Sequence, residues 1–183
     1  MVLRMSLGLL LLLLVVSATQ AQAPLYLVPQ DSQISGLDCE NPFCVEVHIG
    51  DCDGIKGYNI SITYDATYLN FGGVYESDFF DSSAFYPLPV ENPPFVTVIV
   101  NCGNLGAVVP GPGHLYTICF EPPYFCTPAD APTHLVFDDA DVRNETNLPY
   151  SIPVNTFDGT VTIHCGDTAV DVTAWGGIKS LYR

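Results

Sequence analysis

The sequence predicts an all-β sandwich, and three observations support that fold class. Most segments beyond residue 24 are short, rich in β-branched and aromatic residues, and separated by turn residues. Several of them alternate apolar with polar side chains, which is the period of a strand buried on one face. No convincing amphipathic helix occurs before the last dozen positions. Layers of short strands therefore account for the pattern better than a helical arrangement.

The N-terminus is predicted to be a secretory signal peptide. Arg4 precedes an apolar run at residues 7–16, and small and polar residues follow that run. The run is too short to cross a bilayer. Cleavage after Ala21, or two residues later, fits the small-x-small pattern. We therefore predict a leader over residues 1–21 and a protein secreted to the cell surface or exterior, or to the periplasm.

The rest of the chain is predicted to form one domain with its own core. Twenty acidic residues against five Lys and Arg give a formal net charge of −15, and loss of Arg4 with the leader makes it more negative. Such a surface repels nucleic acid and anionic lipid, which are therefore excluded as partners. The acidity favours solubility, a cationic partner or divalent cations, and composition does not choose among them. No second apolar run is long enough to span a membrane.

Nine segments are predicted to be strands, with glycine, proline, aspartate and asparagine punctuating the connections. The predicted strands are residues 25–28, 44–49, 57–64, 69–75, 95–101, 114–120, 134–142, 150–154 and 157–164. The connection 103–113 is rich in glycine and proline. We expect it to join two antiparallel neighbours, 95–101 and 114–120.

The segment 57–64 shows the alternation most clearly. Its apolar set, predicted to be buried, is Tyr58, Ile60, Ile62 and Tyr64. Its polar set, predicted to form an open face, is Asn59, Ser61 and Thr63.

Asp65 interrupts this alternation and is predicted to make a turn. Its carboxylate can accept hydrogen bonds from the amides of Thr67 and Tyr68, which closes an Asx-type turn. That turn returns Leu69 to the core. We therefore interpret Asp65 as structural and not catalytic.

The seven cysteines point to disulfides in an exported chain. They are Cys39, Cys44, Cys52, Cys102, Cys119, Cys126 and Cys165. The odd number leaves at least one thiol free or paired between chains. Local bridges are the simplest prediction: Cys119 with Cys126, and two among Cys39, Cys44 and Cys52. No pair has the tight CxxC or CxxH spacing of a zinc site.

An ordered set of short motifs resembles a cohesin domain over residues 24–164. The motifs are Gly57-Tyr58-x-Ile60-x-Ile62-x-Tyr64-Asp65-x-x-x-Leu69, Gly73-Val74, Asp78-Phe79-Phe80, Gly113-x-Leu115-Tyr116-Thr117-Ile118-Cys119-Phe120, Asn147-Leu148-Pro149 and Phe157-Asp158-Gly159-Thr160-Val161-Thr162-Ile163. Cohesins are nine-stranded jelly-roll sandwiches of the cellulosome scaffold, related in fold to carbohydrate-binding modules. The resemblance implies an all-β, nine-stranded jelly-roll β-sandwich.

The same resemblance implies a function, because a cohesin binds the calcium-loaded dockerin of another protein and performs no chemistry. An outward Asn-x-Asp pair of the family falls on Gly57 and Asn59, and only Asn59 keeps a polar side chain. Leu148 and Tyr150 lie where the family has a leucine and an acidic residue. The expected contact residues are Asn59, Ser61, Thr63, Leu148 and Tyr150. The simpler alternative for the polar strand face is ordinary exposure to solvent.

No cofactor or metal site is predicted, and calcium is expected in the partner. The acidic segment 138–145 carries carboxylates at near-alternate positions, as a calcium loop does. The EF-hand pattern fails, however, because counting from Asp139 puts Arg143 at the fifth position and Tyr150 at the twelfth. A charged turn or strand edge explains the segment better. Without dockerin-like loops, the chain is expected to be the receptor.

Hydrolytic enzymes are not supported, because the GxSxG and HExxH motifs are both absent from the sequence. Carbohydrate binding is the alternative function, with a surface polysaccharide as partner. It requires exposed aromatic rings, and the candidates are Phe79, Phe80, Phe85, Tyr86, Tyr124 and Phe125. Core packing accounts for most such rings.

The C-terminal tail, residues 165–183, differs in composition from the preceding domain. Trp175, Ile178 and either Leu181 or Tyr182 fall at helical spacing, and Lys179 and Arg183 suit the end of a helix. The tail is predicted either to dock on its own domain as a short helix or to act as a terminal address for export or surface attachment.

Overall fold

The computed structural model describes residues 22–35, 42–121, 132–144 and 151–164. The predicted leader and C-terminal tail lie outside these ranges. All the regular secondary structure in the described ranges is strand, which confirms the all-β class. The strands are β1 (Ala23–Val28), β2 (Asp31–Ser35), β3 (Phe43–Ile49), β4 (Gly57–Asp65), β5 (Asn70–Glu76), β6 (Ser83–Asn92), β7 (Phe95–Asn104), β8 (Gly113–Glu121), β9 (Pro132–Arg143), β10 (Ser151–Ile152), β11 (Val154–Phe157) and β12 (Gly159–His164).

The strands form two mixed sheets that pack face to face. The five-stranded sheet has the order β11-β1-β3-β8-β5. The seven-stranded sheet has the order β2-β12-β9-β4-β7-β6, with the short β10 paired to β9. The pairings β1–β11 and β2–β12 are parallel, and the other pairings described are antiparallel. Among the described residues, no long apolar helix of the kind that crosses a membrane occurs.

The core lies between the two sheets and follows the predicted alternation. Tyr58, Ile60, Ile62 and Tyr64 are all buried, as the sequence predicts for β4. They face the buried side chains of β3 and β8, including Val47, Tyr116, Ile118 and Phe120. The Tyr58 hydroxyl donates a hydrogen bond to the Leu115 carbonyl across the sandwich at 3.0 Å. The alternation of apolar and polar residues in the sequence therefore correctly predicted which side chains of β4 point into the core.

Two strands were not predicted, β2 and β6. Both lie at the ends of the seven-stranded sheet. Pro87 and Pro89 interrupt β6, and proline is tolerated in a strand mainly at a sheet edge, where its missing N–H costs no ladder hydrogen bond. The segment predicted as 150–154 is divided at Pro153 into β10 and β11, which belong to different sheets.

The predicted pairing of 95–101 with 114–120 is wrong. The strand β7 pairs with β4 and β6, whereas β8 pairs with β3 and β5 in the other sheet. The connection between them therefore crosses the sandwich. It is held on the way by Ile55 and Val109, which form an isolated bridge. Turn residues mark where a strand ends, but they do not specify which sheet the next strand joins.

The predicted turn at Asp65 is largely confirmed. The Thr67 amide donates to Asp65 Oδ1 at 2.8 Å, as expected. The amides of Tyr68 and Leu69 instead donate to the main-chain carbonyl of Asp65, at 3.2 and 3.3 Å, so the predicted contact between the carboxylate and Tyr68 is wrong. Leu69 is fully buried after the turn.

The structure contains a disulfide between Cys44 and Cys119. These residues are directly opposite each other on β3 and β8, although 75 positions separate them in sequence. The predicted pairing of Cys119 with Cys126 is therefore wrong, as is any bridge from Cys44 to Cys39 or Cys52. Cross-strand register, and not sequence proximity, decides this bridge. Cys52 and Cys102 are free thiols. Cys39, Cys126 and Cys165 lie outside the described residues.

Candidate partner-binding face

The candidate site is the outer face of the four strands β9, β4, β7 and β6. Their register places matching residues side by side across the sheet. One row runs through Asp141, Asn59, Asn101 and Tyr86, and the next runs through Asp139, Ser61, Ile99 and Leu88. Residues in such rows point to the same side of the sheet, here away from the core. We call this surface the outer face.

The polar residues of β4 lie on the outer face as predicted, but they are less open than expected. Asn59 and Thr63 are half-buried, and Ser61 is only 8% exposed. The reason is position: β4 is in the middle of the sheet, and side chains of β7 and β9 flank it on both sides. The prediction of an open face is therefore wrong for Ser61.

Hydrogen bonds tie this polar column to its neighbours. The Thr63 hydroxyl lies 2.5 Å from the hydroxyl of Thr97 on β7, and it donates to the carboxylate of Asp138 on β9. The side-chain oxygen of Asn59 is buried without a hydrogen-bond partner among the described residues. We call these three polar residues at the centre of the outer face, Asn59, Ser61 and Thr63, the polar floor.

Gly57 begins the same strand, at the position where the resemblance places an asparagine. A Cβ atom at Gly57 would lie 2.7 Å from the carbonyl oxygen of Cys102 on β7. A side chain does not fit without moving the backbone of β7. The glycine is therefore a consequence of close strand packing, and this position contributes no side chain to the outer face.

The structure adds an apolar strip that sequence reasoning missed. We define the apolar strip as Tyr86, Leu88 and Val90 of β6 with Phe95 and Ile99 of β7. Tyr86 is 67% exposed, Leu88 55%, Val90 42% and Phe95 47%. The alternation from Tyr86 to Val90 indicates a strand, but the prolines between these residues obscured it.

Carboxylates flank the outer face on the side of β9. A register shift between Ser61 and Ile62 leaves both Asp138 and Asp139 exposed. Asp141 accepts hydrogen bonds from Arg143 Nε at 2.7 Å and from Ser151 Oγ at 2.8 Å. The bond from Arg143 is the main reason that the pKa of Asp141 lies below its ordinary value. The outer face is thus apolar at β6 and β7 and acidic at β9.

The acidic segment 138–145, which was considered for calcium, forms strand β9 over its described part. Within the described ranges, no group of three or more His, Cys, Asp or Glu side chains is arranged to hold a metal ion. Leu148 and Tyr150, the other predicted contact residues, lie outside the described residues. Ser151, which follows them in sequence, pairs with Arg143 of β9, next to the carboxylate of Asp141.

The aromatic candidates for sugar binding divide between core and surface. Phe80 is buried, and Phe79 and Phe85 pack against the core. Tyr86 is exposed and belongs to the apolar strip. Tyr124 and Phe125 lie outside the described residues.

The opposite face of the sandwich, on the five-stranded sheet, carries a row of stacked rings. Tyr26, His48 and His114 stack with centroid separations of 5.7 and 5.1 Å. Glu46 lies 2.7 Å from His48 Nε2, and this hydrogen bond is the main cause of the lowered pKa of Glu46. His48 is stacked on both of its faces, whereas Tyr26 and His114 at the ends of the row are each stacked on one face.

Comparison with known proteins gives matches among solved structures. No protein-family model and no curated protein matches the sequence. A non-cellulosomal cohesin from the hyperthermophilic archaeon Archaeoglobus fulgidus aligns with a TM-score of 0.61 and 18% identity, over 83% of this chain and 98% of that one. CaCohA2 from Clostridium acetobutylicum aligns with a TM-score of 0.63 and 15% identity, over 80% and 94%. The Coh-OlpC-Doc435 complex from Clostridium thermocellum, a type I cohesin–dockerin complex, gives 0.60 and 10%, over 78% and 94%.

The alignments cover at least 94% of each of these three chains, so the similarity extends over the whole of each neighbouring structure. At such low identity it establishes architecture, and it agrees with the two mixed sheets described above. The chain therefore adopts the jelly-roll β-sandwich fold of cohesin domains.

Proposed function

We propose that this chain is a secreted, noncatalytic binding module that recognises a dockerin-like protein through its outer face. The apolar strip is the observation that carries the proposal. Four of its side chains are between 42% and 67% exposed although they stand together on one regular sheet surface. Contiguous exposed apolar surface on a folded domain commonly marks a place where another protein binds.

The composition of the strip suits a protein partner. Aromatic residues such as Tyr86 and Phe95 are enriched at protein interfaces, where a small central cluster surrounded by polar groups usually supplies most of the binding free energy. Here the polar floor of β4 and the carboxylates of β9 lie beside the strip. A rigid sheet also loses little conformational entropy on binding.

The structural neighbours support a dockerin-like identity for the partner. The Coh-OlpC-Doc435 pair is a cohesin–dockerin complex, and its cohesin shares this architecture. We infer that the partner carries any calcium, because the described part of this chain offers no cluster of metal ligands. The chain then acts as the receptor, and its net negative charge of −15 favours a partner with a basic contact surface.

Affinity capture with matched surface variants tests the proposal. The purified protein and its Leu88→Asp variant are used as baits on the secreted proteins of the source organism, in calcium and again in chelator. The control variant is Tyr75→Asp, because Tyr75 is 59% exposed on the five-stranded sheet, on the far side of the sandwich. We expect a partner with duplicated calcium loops that is lost with chelator and with Leu88→Asp and kept with Tyr75→Asp. Equal capture by both variants would contradict the proposed face.

Carbohydrate binding is the second candidate, and the exposure of Tyr86 and Phe95 on the outer face favours it. Exposed aromatic rings are the groups on which sugars stack. A scan of immobilised polysaccharides separates the two functions. Retention that Tyr86→Ala abolishes, with no dockerin-like protein captured, would favour the sugar-binding alternative.

A further inference from the structure

A groove opens between the two sheets at the end of the sandwich where β5 and β6 form neighbouring edges. Its volume is about 410 Å³. The turn after Asp65 lies on one side, and the β6–β7 hairpin with Pro93 and Pro94 lies on the other. Leu69, Phe71, Pro89 and Val96 give it mainly apolar walls. We call this space the end groove.

Two polar side chains face the end groove from the same row of the sheet. Tyr64 is opposite Val96, and Val96 is opposite Glu91. The three residues therefore point inward from three adjacent strands, with Tyr64 and Glu91 about 10 Å apart at their Cα atoms, two strand spacings. Glu91 is exposed at the edge of the sheet, and Tyr64 is buried behind it.

The Tyr64 hydroxyl is an unsatisfied group. It is buried without a hydrogen-bond partner among the described residues, and 1% of the residue is exposed. Burial, and then the charge of Glu91, raise the pKa of Tyr64 to about 12, so the hydroxyl is neutral at ordinary pH. Leaving a buried hydroxyl unpaired costs free energy, and a ligand that supplies a partner recovers some of it.

Apolar walls, an exposed carboxylate and an unpaired hydroxyl together favour a ligand with an aliphatic stem and a cationic head. An acidic group is repelled by Glu91, and a purely apolar side chain leaves the hydroxyl unpaired. A lysine or arginine side chain has an aliphatic stem that suits apolar walls and a cationic head with several N–H donors. The head can pair with the exposed Glu91 carboxylate, and a small displacement of the side chains that cover the Tyr64 hydroxyl would let it donate to that oxygen as well.

The end groove is continuous with the apolar strip, because Phe95 belongs to the strip and also lines the groove. A protein that covers the strip therefore has part of its surface at the groove entrance. We propose that the end groove receives a lysine or arginine side chain of the protein that docks on the apolar strip. That the basic side chain belongs to a protein partner rests on the function proposed above. The selectivity of the groove for a basic group rests only on the residues that line the groove.

NMR titration tests the groove directly. Isotope-labelled protein is titrated with N-acetyl-lysine methylamide and, separately, with N-acetyl-norleucine methylamide, which has a similar stem without the ammonium group. We expect the lysine compound to shift the amides of residues 66–71, 91 and 95–96, with weaker effects of the norleucine compound. Glu91→Gln should weaken lysine binding about three- to fivefold, as for loss of a partly exposed ion pair, and leave norleucine binding unchanged.

Glu76→Gln is the matched control, because Glu76 is an exposed carboxylate of β5 that does not line the groove. Absence of groove shifts, or equal lysine binding by Glu91→Gln and the unmodified protein, would overturn the groove proposal and leave the apolar strip to its own test. The partner's role is tested by capture with Glu91→Lys against Glu76→Lys. A selective loss with Glu91→Lys is expected, and equal capture would contradict a partner side chain in the groove.

Discussion

Removing the bridge between Cys44 and Cys119 should strongly destabilise the domain. The bridge joins β3 and β8, which are neighbours in the five-stranded sheet, and it closes a loop of 75 residues that contains β4 to β7 from both sheets. Restricting the unfolded chain over a loop of that length corresponds to about 4.5 kcal/mol at 25 °C in the chain-entropy treatment. Since native bridges typically contribute about 2–5 kcal/mol, we expect the Cys44→Ala/Cys119→Ala variant to lose an amount in that range.

Urea unfolding followed by tyrosine and tryptophan fluorescence measures this loss. The unmodified protein is examined with and without reductant, beside the double variant. Reduction should shift the midpoint of the unmodified protein toward that of the double variant, and by much more than it shifts the midpoint of the double variant. Cys52→Ala is the control, because Cys52 is a half-buried free thiol. If the double variant matched the oxidised protein within about 1 kcal/mol, the assigned bridge or its loop would be wrong.

Three further predictions follow from the outer face and the core. Leu88→Ala should weaken partner binding roughly 4- to 16-fold, because 55% of Leu88 is exposed in the free protein and full burial of leucine contributes about 1.5–3 kcal/mol. Calorimetry with the captured partner checks this, and an unchanged affinity would place the interface elsewhere. Tyr64→Phe should leave the free energy of unfolding unchanged or raise it by up to about 1 kcal/mol, whereas Tyr58→Phe should lower it by about 1 kcal/mol. The difference arises because the Tyr58 hydroxyl donates a hydrogen bond to the Leu115 carbonyl, while the Tyr64 hydroxyl has no partner among the described residues. The reverse order in urea melts would refute the assigned contacts. The pKa of Asp141 is lower in the folded state, so the contribution of its ionised carboxylate to the free energy of unfolding is complete above the unfolded value near 3.8. That contribution is lost as the pH falls through the folded value. Asp141→Asn should remove this loss of stability from melting profiles between pH 2 and 5, and an unaltered profile would contradict it.

Local pattern predicted the parts of the fold that local physics determines. The alternation in β4 predicted which side chains point into the core and which point to the outer face, because successive side chains of a strand point to opposite sides of the sheet. The turn at Asp65 was predictable for the same reason, since the carboxylate and the Thr67 amide that it binds are two positions apart.

Features that depend on distant residues were not predictable in this way. The Cys44–Cys119 bridge depends on the register of β3 with β8, and the course of the chain after β7 depends on which sheet has room for the next strand. The apolar strip was missed because Pro87 and Pro89 argue against a strand unless the strand is known to be at an edge. The burial of Ser61 was not predicted, because it results from β7 and β9 lying on either side of β4. Which strands flank β4 is decided by the sheet order and not by the local sequence.

The position of the partner on the sandwich is tested most directly by hydrogen exchange of the complex. The captured partner is added in excess, and amide protection is compared with that of the free protein, strand by strand. We predict slower exchange at the open edge of β6 and in the β6–β7 hairpin, with no change in β1 and β3 of the other sheet. Protection confined to the five-stranded sheet would contradict the claim that the outer face is the binding surface.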